Sequence, residues 1–342
     1  VKETVLIWRF SSAGDVILTA PAVAALRRAW PMARLVFATK AAYVPVVAAN
    51  PHLDAVISCA PGWSFGHLRR ALAACEPTAL CDLHGKARGL LLRLTLPGRR
   101  RVVWRKRDVD QTWTMLMGHQ RYRARHHIAH RYQHAVEALV GRTLPAEPLR
   151  YYVAADDQNT ADRLLQRFAG SPRGKRIGIS VGAMWATKRW PLQRFAALAA
   201  ALVRVGHQVI LTGSPDEVAA VAEVAAAVPT AVNLAGRLTL GELGGVLAKL
   251  DAFVANDSGP MHMARGLCIP TLAFFGSTDP RQFDGTGHRF MFSNRHCAPC
   301  SFHGRAACPR GHLGCLTDHT VAAALDHVLT LVAGGPAAPV RG

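Results

Sequence analysis

Ala252-Phe253-Val254-Ala255-Asn256-Asp257-Ser258-Gly259-Pro260-Met261-His262 is the stretch of this chain that decides its fold. The apolar run at its start does not alternate with polar residues, as expected of a strand buried on both faces in a parallel sheet covered by helices. Small and polar residues then turn the chain, and Pro260 stands where a helix begins, a position where its missing N–H costs nothing. Strand, Gly-containing turn and helix in this order leave free backbone N–H groups and the positive end of a helix dipole, a cradle for a phosphate. His262, in the first helical turn, has no capping duty, which argues against an ordinary capped turn.

The same unit recurs in both directions from this stretch. Short runs rich in Val, Ile and Leu predict strands at 5–10, 35–39, 55–59, 79–83 and 101–104, with helices filling the gaps. A second series is predicted at 176–181, 208–212, 231–234, 252–255 and 271–275, with helices starting at 192, 216, 240 and 260. Between the two series, 123–134 carries Arg and His at nearly every second position, 135–140 reads as helical, and the polar stretch 156–175 holds a helix at 159–168. The fold class is therefore α/β, with two Rossmann-like doubly wound parallel sheets, one in residues 1–155 and one in 156–342. Such sheets bind ligands beyond the carboxyl ends of their strands, so the expected site is a cleft that both domains face.

Composition agrees with two ordinary domains. The 342 residues are 50% hydrophobic and only 18% charged, which excludes a disordered or fibrous class. The net charge of +19, from 41 Lys and Arg against 22 Asp and Glu, attracts polyanions: nucleic acid, an anionic membrane surface or phosphorylated substrates. Genomic base composition is an equal reading of the Arg excess. No helix-turn-helix, RNP or zinc-finger pattern accompanies the charge, so no specific nucleic-acid partner is expected. There is no P-loop sequence either. Arg204 and His207 interrupt the richest apolar stretch, 195–211, and the first ten residues read as a strand, so neither a membrane span nor an export signal is expected. Cys59, Cys75, Cys81 and Cys268 sit in apolar segments as small buried hydrophobes, which suits a reducing cytoplasm.

Three further segments carry chemistry. Ser11-Ser12-Ala13-Gly14-Asp15 leads from the first strand into a helix, where Asp15 is either a cap or a catalytic carboxylate facing the cleft. In Ala186-Thr187-Lys188-Arg189-Trp190-Pro191, two cations near a Gly-containing strand exit could hold a diphosphate or form a solvated basic loop. Cys297-x2-Cys300-x7-Cys308-x6-Cys315, with His312 inside it, has spacing that suits a structural zinc; free thiols and redox pairing are the alternatives.

In order and distance, the segments around Asp15, Lys188 and Asp257 resemble glycosyltransferase family 9, the heptosyltransferases of lipopolysaccharide inner-core synthesis. Residues 12–21 are similar to the family's Leu-Gly-Asp-Val-Leu-x-Thr-x-Pro signature, with Ala13 in place of Leu. Asp82-Leu83-His84-Gly85-Lys86-Ala87-Arg88 resembles its acceptor-domain segment, and 187–191, 256–264 and Phe275-Gly276-Ser277-Thr278-Asp279-Pro280 resemble its donor-domain signatures. One departure is Ser180-Val181-Gly182, where the family often has His-Pro-Gly.

The resemblance implies a GT-B enzyme that moves a heptose from ADP-heptose to a lipopolysaccharide precursor, inverting the anomeric centre without a metal or other cofactor. It makes Asp15 the general base and Lys188, helped by Arg189, the cation that meets the leaving diphosphate. Thr187, Asp257, Ser258, Gly259, Met261 and His262 would bind the donor, with Asp216 or Glu217 on nucleoside hydroxyls. Ser12, Gly14, Lys86, Arg88, Arg121 and Arg123 would bind an anionic, lipid-linked saccharide acceptor. The Arg-rich positions 121–131 would touch the anionic inner membrane from the cytoplasmic side. Cysteine-rich segments like 297–315 occur in family members resembling the second heptosyltransferase. Alternatives are a family 9 transferase using another nucleotide sugar, a GT-B sugar-nucleotide epimerase, opposed by Gly14-Asp15, and a basic nucleic-acid-binding protein, motivated by charge alone.

Overall fold

Val5, Leu6, Ile7 and Trp8 are almost wholly buried, and this makes β1 (Thr4–Trp8) the centre of a sheet and not its edge. The computed structural model describes residues 3–104, 128–167, 174–283, 285–293 and 295–334; Arg121 and Arg123 lie outside the described residues. Described residues up to Tyr152 form one compact unit and those from Val153 onward another.

In the first unit β1 is joined by β2 (Arg34–Lys40), β3 (Ala55–Cys59), β4 (Ala79–Asp82) and β5 (Arg100–Val103), all parallel in the order β3-β2-β1-β4-β5. Its helices are α1 (Ala13–Ile17), α2 (Ala20–Ala29), α3 (Val44–Val47), α4 (Phe65–Ala73), α5 (Ala87–Thr95) and α6 (Ile128–Val140). Ile7 pairs with Phe37 on one side and Cys81 on the other. The strand order reverses between β1 and β4, so the loops leaving those two strands flank the switch point where such sheets take ligands.

The second unit begins with α7 (Ala155–Gln166) and holds β6 (Arg176–Ser180), β7 (Gln208–Thr212), β8 (Val232–Asn233), β9 (Ala252–Asn256), β10 (Thr271–Phe275) and β11 (His288–Phe292). Every pairing is parallel, in the order β11-β10-β9-β6-β7-β8, with the reversal between β6 and β9. The covering helices are α8 (Leu192–Arg204), α9 (Val218–Ala226), α10 (Leu240–Leu247), α11 (Gly259–Gly266), α12 (Gly314–Thr317) and α13 (Val321–Val332). Phe195, Leu198 and Leu202 repeat at helical spacing on α8 and are buried against Ile177, Ile179, Leu211 and Phe274 of the sheet. Each such side chain contributes about 1.5–3 kcal/mol by leaving water. Trp190 stacks on Phe274, with ring centroids 4.1 Å apart, and so anchors the loop that carries Lys188.

Three expectations change. The edge strand β11 was not predicted, because His288 and Arg289 give it no continuous apolar run. Helix α6 starts at Ile128, earlier than expected: Ala129, Tyr132, Val136 and Leu139 form a buried stripe that the interleaved Arg and His conceal. Cys268 is exposed in a left-handed turn just past α11, φ 60°, while Cys59, Cys75 and Cys81 are buried as expected. Among the described residues, no helix is long and apolar enough to cross a membrane.

Candidate active site

At the switch point of the first unit, α1 lifts Asp15 off the end of β1. Its carboxylate is 30% exposed and closely held. Oδ2 accepts from the Ser12 backbone N–H at 3.1 Å and the Ser12 hydroxyl at 3.0 Å, and lies 2.6 Å from Arg9 Nη2; Oδ1 accepts from the Tyr132 hydroxyl at 3.2 Å. Burial pushes the Asp15 carboxyl up, but the Arg9 charge and the Ser12 hydrogen bonds outweigh it and hold the group below the usual carboxylate range. Asp15 thus closes the capping box of α1, and its carboxylate stays ionised and partly exposed. Arg9 is itself fixed, donating to the Leu83 carbonyl at 2.8 Å and lying over the rings of Trp104 and Tyr132.

The loop after β4 closes the other side. Buried Asp82 accepts from the backbone N–H groups of His84 (2.9 Å) and Gly85 (2.8 Å) and pairs with Arg93 at 3.1 Å. Gly85 has φ 65°, and a side chain there would meet the Trp104 carbonyl. The turn sets His84 edge-on to Phe10. Burial, then Arg9 and Lys86, bring the His84 imidazole down from 6.5 to about 4, so it is neutral beside Asp15 at ordinary pH. Lys86, the N-cap of α5, and Arg88 are exposed next to it, and Arg88 also donates to the Trp63 carbonyl. Ser12 is exposed and Gly14 buried.

The second switch point gathers most of the predicted donor residues. Lys188 Nζ lies 2.7 Å from Asp257 Oδ2, which also accepts from Thr278 Oγ1 at 2.7 Å. Asp257 is buried, which would raise its carboxyl, but Lys188 and His262 bring it below the usual range, leaving a charged pair at the mouth of α11. Asn256 ties the two central strands together: its amide donates to the Val181 carbonyl at 2.8 Å, and its oxygen accepts from the Trp190 N–H at 2.9 Å. At the start of α11 the backbone N–H groups of Ser258, Gly259 and Met261 are those that a helix leaves without internal partners; Pro260 has none. The Ser258 hydroxyl oxygen is buried with no partner among the described residues.

Other residues of the expected donor set are engaged elsewhere. The Met261 side chain is fully buried in the core, so only its backbone N–H is available to a donor. Thr187 is buried with its hydroxyl engaged: it accepts from the Arg305 N–H at 2.8 Å and lies 2.9 Å from Ser277 Oγ, which supports the loop but leaves little for a phosphate. Arg189 Nε donates to the Ala183 carbonyl at 2.7 Å and so braces the turn after β6. Glu217 accepts from the Ser214 N–H at 2.9 Å as a helix-entry cap, while its neighbour Asp216 is exposed. His262 is buried beside Phe283, ring centroids 4.9 Å apart.

The cysteine run is not assembled as a metal site. Cys297 Sγ is 3.9 Å from His312 Nε2, but among the described residues no three His, Cys, Asp or Glu side chains are grouped to hold an ion. The segment instead buttresses the loop around Lys188. The Cys300 and Ser301 N–H groups donate to the Ser277 carbonyl, Arg305 binds Thr187, and Gly304, φ 103°, lies where any side chain would strike Trp185. Sequence alone gives Arg9, Tyr132, Asn256 and Thr278 no role; Asn256 and Thr278 lie in segments with the donor signatures, and Tyr132 lies in the Arg- and His-rich stretch.

Two parallel α/β units in series, one offering an ionised carboxylate at its switch point and the other a lysine beside a helix N-terminus, define a GT-B glycosyltransferase. The chain belongs to glycosyltransferase family 9 (heptosyltransferase), whose family profile matches residues 65–309. It is 31% identical to lipopolysaccharide heptosyltransferase 1 of Pseudomonas aeruginosa, over 86% of this chain and 85% of that one. Among solved structures, the ADP-heptose lipopolysaccharide heptosyltransferase II of Escherichia coli superposes with a TM-score of 0.75 at 21% identity, covering 97% of this chain and 99% of the other. A family 9 glycosyltransferase from Veillonella parvula gives 0.78 at 19% identity, over 97% and 98%.

Proposed function

We propose that this enzyme transfers a heptose from ADP-heptose to an inner-core acceptor of lipopolysaccharide, in a single displacement that inverts the anomeric carbon and needs no metal ion. The observation that carries this reading is the 31% identity to a lipopolysaccharide heptosyltransferase across 86% of the chain, and the chemistry of the two switch points supports it.

In this reading Asp15 takes the proton of the acceptor hydroxyl as its oxygen bonds to the anomeric carbon, while the bond from that carbon to the diphosphate breaks and ADP departs. A carboxylate held below its usual range is a weak base. It suffices because the hydroxyl becomes acidic only as the new bond forms. The charge gathering on the diphosphate is met by Lys188 and by the Ser258, Gly259 and Met261 N–H groups. Asp257 and Thr278 aim Lys188, and His262 adds its electrostatic influence on Asp257. Thr187 and Arg189 act by holding their loops, and exposed Asp216, not the capping Glu217, accepts from nucleoside hydroxyls.

Ser12, Lys86 and Arg88, with Arg121 and Arg123, hold the acceptor, whose phosphates and acidic sugars complement the basic chain, while buried Gly14 offers it no side-chain contact. That acceptor is lipid-linked, so the enzyme works at the cytoplasmic face of an anionic membrane.

The test is ADP release from ADP-heptose with a heptose-deficient lipopolysaccharide acceptor in excess EDTA, comparing wild type with Asp15→Ala. Release by wild type that falls about a hundredfold or more in the variant is expected. A folded wild type that releases no ADP overturns the heptose reading, and other nucleotide sugars are then the donors to screen. Loss of release on adding EDTA overturns metal independence.

A further inference from the structure

Helix α5 is amphipathic in an unusual sense. Gly89, Leu92 and Leu96 follow one another at helical spacing and are buried, so they form the face that packs on the sheet. Leu90, Leu91 and Leu94 stand on the opposite side, 47%, 50% and 65% exposed. Among the described residues, the other large exposed apolar ones, Met32, Met184, Val205 and Val218, occur singly on different elements, and single exposure needs no explanation. Three leucines forming the outer ridge of one helix do need one.

The ridge has a basic rim that hydrogen bonds fix in place. Arg69 of α4 donates to the Thr95 carbonyl at the end of α5, Arg101 to the Leu96 carbonyl just past it, and Arg88 in its first turn to the Trp63 carbonyl. All three guanidinium-bearing residues are exposed. From 63 to 104 the chain carries eight Lys or Arg against two acids, Glu76 and the buried Asp82.

We propose that this face of α5 is a membrane-contact surface: Leu90, Leu91 and Leu94 enter the boundary between headgroups and acyl chains of an anionic lipid layer, while Arg69, Arg88 and Arg101 meet its phosphates. An apolar ridge flanked by cations is the form that lies in such an interface. A nucleic acid would use the arginines and leave the leucines exposed. A second copy apposed about a two-fold axis would bring one basic rim against another with few acids to offset it. The surface also continues into the site, because Lys86 and the His84 turn lead directly into α5. A lipid-linked acceptor would thus be reached where its lipid lies. The inference deepens the lipid-linked acceptor reading and rests on it for its purpose, but its test needs neither donor nor turnover.

The full chain is sedimented with vesicles of phosphatidylcholine alone and of phosphatidylcholine mixed with phosphatidylglycerol. Wild type is expected to bind the mixed vesicles and not the neutral ones. The Leu90→Ser/Leu91→Ser/Leu94→Ser variant should bind them about tenfold more weakly or worse, while still releasing ADP on a delipidated acceptor. Should the triple change impair folding, Leu94→Glu alone alters the most exposed position and is expected to weaken binding in the same direction. Mixed-vesicle binding that the leucine variants leave unchanged means that net charge alone holds the lipid, and overturns the proposal. So does a lipid-free dimer that the triple variant converts to monomer, which would assign the ridge to a second copy.

Discussion

Arg9 and Asp15 form an ion pair across the end of β1, Nη2 to Oδ2 at 2.6 Å, and Arg9 cannot readily turn away. Its second nitrogen is bound to the Leu83 carbonyl, and two aromatic rings lie against it. Asp15 is therefore kept charged, and as the proposed base it would be a weak one.

Removing that clamp should move the acid limb of the reaction. Burial alone raises the Asp15 carboxyl, and Arg9 is the largest influence opposing it. In Arg9→Met the carboxyl rises, so the acid limb of kcat/KM for ADP release shifts to higher pH, while wild type stays active to below the usual carboxylate range. The sign for stability is the same. A depressed native pKa stabilises the fold above the unfolded value, and that contribution is lost as pH falls through the native one. Identical pH profiles for Arg9→Met and wild type would remove Arg9 from the mechanism.

Lys188 and Asp257 should show separable effects on folding and on chemistry. Both side chains are largely buried, 14% and 6% exposed, so Lys188→Met leaves an uncompensated carboxylate and should cost about 3–5 kcal/mol in urea unfolding. Adding Asp257→Asn removes that charge and should restore most of the stability. Both proteins lack the cation proposed to meet the leaving diphosphate, so kcat should stay down about a hundredfold or more in both. A stable double variant with near-normal kcat would show that the lysine is structural.

Most of the fold was legible because buried parallel strands announce themselves as continuous apolar runs, and the strands at 55–59, 208–212 and 271–275 have the predicted bounds. What escaped has specific causes. The edge strand β11 mixes His288 and Arg289 with its aromatics, and α6 hides its buried stripe among cations. The partners of Asp15 were not readable as partners. Arg9 sits inside what reads as strand, and Tyr132 lies 117 positions away in sequence. For the cysteine run the spacing left zinc, free thiols and redox pairing open, because spacing reports only what thiols could reach; the four are free thiols, and backbone bonds from 300, 301 and 305 commit that segment to supporting the loops at Ser277 and Thr187.

Gly182 is where the chain departs from the family's local sequence yet keeps the glycine, and the structure supplies a reason. A Cβ on Gly182 would overlap the Glu217 carboxylate, which is held by the Ser214 N–H at the entry to α9. Gly182→Ala must therefore displace either the turn after β6, where Asn256 binds the neighbouring Val181 carbonyl, or the cap that fixes Asp216. The expected loss is about 1–3 kcal/mol, as for other overpacked sites. Glu217→Ala alone should cost about 1 kcal/mol, the usual value of a lost cap. If the clash between these two side chains is the cause, the double variant should be more stable than the sum of the single losses predicts, because the second change removes the obstacle that the first one meets. Urea midpoints of the three variants measure this directly. Strictly additive losses would mean that Gly182 is required for its backbone and not for the space it leaves to Glu217.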